Sequence, residues 1–93
     1  MLTSPYTHYD VMYELGQNIQ RARKERKWTQ KQAALRADIP LSTYALIEQT
    51  GEGSIKNLVK IFMALGRDHE LLDRLLTPVD PTPIERFGHL LKP

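Results

Sequence analysis

Residues 29–50, TQKQAALRADIPLSTYALIEQT, carry two helical segments with almost nothing between them. Thr29 followed three residues later by Gln32 is a capping-box pattern and opens the first. Pro40, favoured where a helix starts because no amide donor is needed there, opens the second near Leu41, and Gly51 can close it. Only Asp38 and Ile39 remain in the break. So short a break forces the second helix back across the first at close range. The small side chains of Ala33, Ala34 and Ala37 permit that approach, with Ala34 at the closest crossing. Asp38 falls where the chain must leave the first helix, a place for a left-handed residue. Glycine is usual there, and Asp is among the few others that tolerate it. Ile39 and Ile47 are expected to point into the core on either side of the break.

Three more segments have helical period, and no segment alternates as a strand does. Residues 10–26 repeat Met12, Leu15, Ile19 and Ala22 on one face, with Asp10 as the expected cap. Gly16 costs that helix about 1 kcal/mol against alanine unless a neighbour packs closely on it. From Ser54, another helix carries Ile55, Leu58, Ile61, Phe62 and Leu65 inward and ends at Gly66. A fifth starts at Asp68 and offers Leu71, Leu72, Leu75 and Leu76. The expected class is all-α: a five-helix domain over residues 10–76. An N-terminal arm (1–9) precedes it. A short Pro-containing tail (77–93) follows, its PVDPTP stretch extended, as a candidate contact for a partner or a second copy.

Composition narrows the function. A chain of 93 residues with 41% hydrophobic content makes one globular domain. It has no cysteine, so thiolate metal sites, disulfides and cysteine nucleophiles are excluded. No signal-like start and no apolar run near the roughly 20 residues of a bilayer span are present, so a cytoplasmic protein without membrane contact is expected. His8, His69 and His89 lack metal-ligand spacing, Ser42 has no base placed to activate it, and no phosphate-binding loop occurs. Neither an enzyme nor a cofactor is expected. Net charge is only +2, but Arg21, Arg23, Lys24, Arg26, Lys27, Lys31 and Arg36 crowd together, with Glu25 the one acid among them. Such a patch suits a polyanion.

With these residues in view, LGQNIQRARKERKWTQKQAALRADIPLSTYALIEQTG resembles the lambda/434-repressor type of helix-turn-helix domain, the xenobiotic-response-element family. The likeness covers about residues 11–66. It implies a regulator of double-stranded DNA. It also implies that Gln30 and Ser42 touch phosphates, that Arg23 and Glu48 form an internal ion pair, and that Leu41, Ser42, Thr43 and Leu46 face base edges. With the basic run, the expected DNA-contact set is Arg23, Lys27, Gln30, Lys31, Leu41, Ser42, Thr43 and Leu46. The sequence departs from the pattern in three respects. Asp38 replaces the turn glycine, and Tyr44 stands where Ile or Val is usual. The base-facing surface carries Leu41, Ala45 and Leu46 in place of Gln, Arg or Asn. These apolar groups can pack on thymine methyls but cannot hydrogen-bond bases, so the expectation is an A·T-containing site or weakened DNA binding. The stretch HELLDRLLTPVDPTPIER is similar to HipB-type antitoxins. That likeness implies a homodimer that represses its own operon and binds a HipA-like kinase toxin. The alternative is a protein-interaction module on a helix-turn-helix scaffold.

Overall fold

The computed structural model describes residues 5–74, and five helices run through them: α1 (His8–Glu25), α2 (Gln30–Ala37), α3 (Leu41–Thr50), α4 (Ile55–Ala64) and α5 (Asp68–Arg74). Helices α1, α2 and α4 begin where a hydroxyl side chain accepts from a backbone amide of the first turn, and α3 begins after Pro40 without a side-chain cap. Among the described residues there is no strand. The expected Leu75 and Leu76 and the tail 77–93 lie outside the described residues, as do the first four residues of the arm. Helix α1 starts two residues before Asp10. Its cap is Thr7, whose hydroxyl accepts from the Asp10 amide while the Asp10 carboxylate accepts from the Thr7 amide at 2.9 Å. Asp10 is thus the third residue of a capping box. Thr29 and Gln32 form the same reciprocal pair at α2, as expected. Ser54 caps α4 through the Asn57 amide.

The core is small and built mainly from α1 to α4: Ile19 and Ala22, the α2 alanines, Ile39, Tyr44 and Ile47, then Ile61 and Leu65. Leu15, Trp28, Leu58 and Phe62 pack around it, half-buried. Ile55 does not join them. It is 81% exposed, because it is the first residue of α4 and lies clear of the helices that cover Leu58 and Ile61.

Helix α3 packs against both α1 and α2, α4 packs against α2, and α5 lies against α4. The α1–α3 approach is backbone on backbone. A Cβ on Gly16 would stand 2.5 Å from the Glu48 carbonyl oxygen and 2.6 Å from that of Ile47. At the other end of the contact, Gly51 (φ +78°) sits against the Met12 carbonyl. The glycine that weakens α1 as an isolated helix is therefore what lets α3 seat on it.

Candidate nucleic-acid interface

The break between α2 and α3 is fixed by backbone chemistry. Asp38 takes the left-handed conformation (φ 57°, ψ 50°), and its amide donates to the Leu35 carbonyl at 3.1 Å. The Ile39 amide donates to Ala34 at 3.1 Å, and the Lys60 ammonium reaches the Asp38 carbonyl from α4. With Ala33, Ala34 and Ala37 almost fully buried, α3 is held across α2 as the sequence requires.

Helix α3 divides cleanly into two sides. Tyr44, Ile47 and Glu48 face inward, each no more than 2% exposed. Ser42, Leu46 and Gln49 follow one another at steps of four and three, which places them along the middle of the opposite side. All three are exposed, Leu46 at 44%. Leu41 (45% exposed) and the half-buried Thr43 stand at the flanks of that side. The expected base-facing set omits Gln49, although its seven-residue step from Ser42 is visible in the sequence.

A buried ionic network sets the orientation of α3. Arg23 Nε donates to Glu48 Oε2 at 2.7 Å, Arg23 Nη2 to Oε1 at 3.2 Å, and Arg23 Nη1 to the Trp28 carbonyl at 2.7 Å. Gln30 Nε2 adds a bond to Glu48 Oε1 at 3.0 Å. One carboxylate thereby ties α3 to α1 and to the start of α2. Burial alone would raise the Glu48 pKa, but the bonds from Arg23, the nearby Tyr44 hydroxyl and the bond from Gln30 outweigh it and hold the carboxyl below its usual value. The Glu48 bond likewise raises Arg23, against burial. Beside this network the Tyr44 hydroxyl is buried and has no hydrogen-bond partner among the described residues. Burial, with the Glu48 carboxylate nearby, pushes its pKa well up. The ring that replaces an aliphatic side chain is accommodated inside the core, with its hydroxyl left inside too.

The basic run resolves into two chemistries. Its arginines are turned inward or along the surface. Arg21 donates to Asn18, and Arg26 to the carbonyls of Ala22 and Leu65. Arg36 lies over the Trp28 ring at 4.5 Å, with Arg26 also near that ring. The lysines are not so used. Lys24, Lys27 and Lys31 are exposed, and among the described residues no acid pairs with them. A planar guanidinium with five donors makes the better staple, and an ammonium on a flexible stem stays hydrated at the surface. Lys27 occupies the α1–α2 turn in a left-handed conformation (φ 59°), which the sequence gives no sign of.

A helix-turn-helix family model matches residues 19–72, which is more than half of the chain. The chain belongs to that family. The match runs from the middle of α1 into α5, and the fold it implies is that of the lambda/434 repressors. Comparison with curated proteins and with solved structures returned no match. Helix-turn-helix domains of this type are DNA-binding regulators, not enzymes. Within this one, α3 is the second helix of the motif. Of the expected contact residues, Lys27, Lys31, Leu41, Ser42 and Leu46 lie exposed, and Gln30 and Thr43 are half-buried. Arg23 requires a correction: at 8% exposure, with its donors committed to Glu48 and Trp28, it belongs to the frame of the motif and not to its surface. Among the described residues no helix is long and apolar enough to cross a membrane.

Proposed function

We propose that this helix-turn-helix protein is a sequence-specific repressor that binds double-stranded DNA as a homodimer. Helix α3 of each copy would occupy successive major grooves about 34 Å apart on a two-fold-related site. The observation that carries this is the division of the basic run. Arg23 and Arg26 bond across to other parts of the domain, while Lys27 and Lys31, with which no acid pairs among the described residues, stand on either side of Gln30, whose bond to Glu48 keeps the start of α2 beside α3. In this reading Lys27, Gln30 and Lys31 grip phosphates. Ser42 and Leu46 meet base edges, with Leu41 and Thr43 at the margins. Leucine can pack on a thymine methyl, so the site contains A·T pairs.

The second copy is proposed to seat on α4. There Ile55, Val59 and Met63, at four-residue steps, form an exposed apolar stripe, with Ile55 81% and Met63 61% exposed. Repression would follow from steric exclusion of polymerase. The HipA-like partner expected from residues 69–86 rests on a stretch mostly outside the described residues, and it forms no part of this proposal.

A second reading is favoured by the exposure of Leu35 (79%), Leu41 and Leu46: the motif as a scaffold whose apolar surface binds a protein. Selection from a random duplex library separates the two. A repressor enriches a two-fold symmetric A·T-containing site, bound by two chains in sedimentation equilibrium. Absence of any enriched sequence at low salt would refute the repressor and favour the scaffold.

A further inference from the structure

The start of α1 presents an apolar surface that neither the core nor the DNA-reading side uses. Tyr6, Asp10, Val11, Tyr13 and Glu14 line an open groove there. Val11 is 59% and Tyr13 50% exposed, and Tyr9 beside them is 64% exposed. Asp10, Tyr13 and Glu14 leave α1 on the side turned away from the buried Ile19. The two carboxylates of the groove enter no ion pair among the described residues. They repel a phosphate backbone, and a second copy laid groove to groove would bring four carboxylates together. The occupant that fits is an apolar segment carrying cations. Residues 84–92 of this chain, IERFGHLLK, have that chemistry. Ile84, Phe87, Leu90 and Leu91 recur at steps of three and four, and Arg86 and Lys92 outnumber Glu85. The apolar stripe of α4 suits them less, because Lys56 and Lys60 each follow one of its residues.

The groove is also within reach. Val11 and Glu14 stand seven residues before Asn18 and Arg21, so they leave α1 in nearly the same directions, about 10 Å nearer its start. Asn18 and Arg21 line a cleft that Arg67 and Glu70 also line, which puts the start of α5 on that side of α1. From Glu70 to Arg74 is about 6 Å of helix. Residues 75–83, with Pro78, Pro81 and Pro83 among them, span about 28 Å when extended, more than both steps together.

We propose that residues 84–92 dock on the α1 groove of their own chain, with Phe87 and its apolar neighbours against Val11 and Tyr13, and Arg86 and Lys92 beside Asp10 and Glu14. The contact straps the C-terminal segment to the helix on which α3 is seated. It stands independently of the DNA-binding reading.

The test uses the full chain, which has no cysteine, so Pro93→Cys supplies a single site for a nitroxide spin label. Amide NMR spectra are compared with the label oxidised and reduced. The expected result is loss of the Tyr9, Asp10, Tyr13 and Glu14 signals under the oxidised label, with those of Leu35 and Arg36 in α2 unchanged. Adding Phe87→Ser to the labelled chain should restore the lost signals and leave the rest of the spectrum in place. Mixing isotope-enriched, unlabelled chains with spin-labelled chains of natural abundance should produce no loss at all. Four results would overturn the proposal. They are no loss at the start of α1, an equal loss on α2, a loss that survives Phe87→Ser, or a loss in the mixed sample, which would give the groove to the tail of a second copy.

Discussion

Replacing Gly16 by alanine sets two effects of opposite sign against each other. By helix propensity alone, alanine should stabilise α1 by about 1 kcal/mol. The fold predicts the reverse. The new methyl would lie 2.5 Å from the Glu48 carbonyl oxygen and 2.6 Å from that of Ile47, closer than real contacts come. Both obstacles are backbone of α3, and α3 is pinned by Tyr44 and Ile47 in the core and by the Arg23–Glu48 bonds. Relief requires α1 and α3 to separate along their whole contact. Overpacking of this kind costs about 1–3 kcal/mol net. In a domain of this size each kcal/mol moves the melting temperature by roughly 4–8 °C, so a fall of about 5–20 °C is expected. Thermal melts followed by circular dichroism at 222 nm would measure it. Glu14→Ala, an exposed position on the same helix, serves as the control and should stay within about 0.5 kcal/mol. A Gly16→Ala protein as stable as the wild type, or more so, would refute the backbone-on-backbone seat.

Lys27→Gly should separate stability from binding: it relieves a left-handed residue and raises stability by about 1 kcal/mol. It should also weaken DNA binding and lower the salt slope by about 1, as anisotropy titrations would show. Tyr44→Phe removes a buried hydroxyl without a hydrogen-bond partner among the described residues, so the urea midpoint should be unchanged or higher, and a loss above 1 kcal/mol would reveal a hidden bond. Glu48 carries a depressed pKa, so below the ordinary 4.5 the unfolded chain binds more protons than the folded one. Its contribution is therefore complete above that range and is lost as pH falls through the folded value, which a urea series from pH 7 to 3 would trace. Glu48→Gln leaves Arg23 buried without its counter-charge, at a cost of about 3–5 kcal/mol, and should erase that acid step.

Much of this was legible because it is written in local chemistry. The Thr29–Gln32 cap, the alanines and the left-handed Asp38 each have a short-range cause, and together they place α2 and α3. The ion pair between Arg23 and Glu48 followed from family resemblance and not from spacing, since the two are 25 residues apart. What the sequence concealed is which way each basic side chain turns. Arg23 and Lys24 are neighbours, yet one is buried and the other exposed, a difference of about 100° around α1 that charge density cannot express. The start of α1 was misplaced because Asp10 can serve either as a cap or as the third residue of a box opened by Thr7. Ile55 looked like core because it fits the apolar period of α4, and only the position of the helix end shows that nothing covers it.

The central claim is that unpaired lysines and the outward side of α3 together make a DNA-reading surface. Its most direct test is a salt titration of binding, comparing the selected duplex with a scrambled one. The account predicts that log K falls linearly with log salt by about 0.9 for each phosphate contacted, with the selected duplex preferred throughout. The Lys31→Ala protein should have a slope smaller by about 1 on both duplexes and an unchanged preference. Equal affinity for the two duplexes, or binding indifferent to salt, would contradict it.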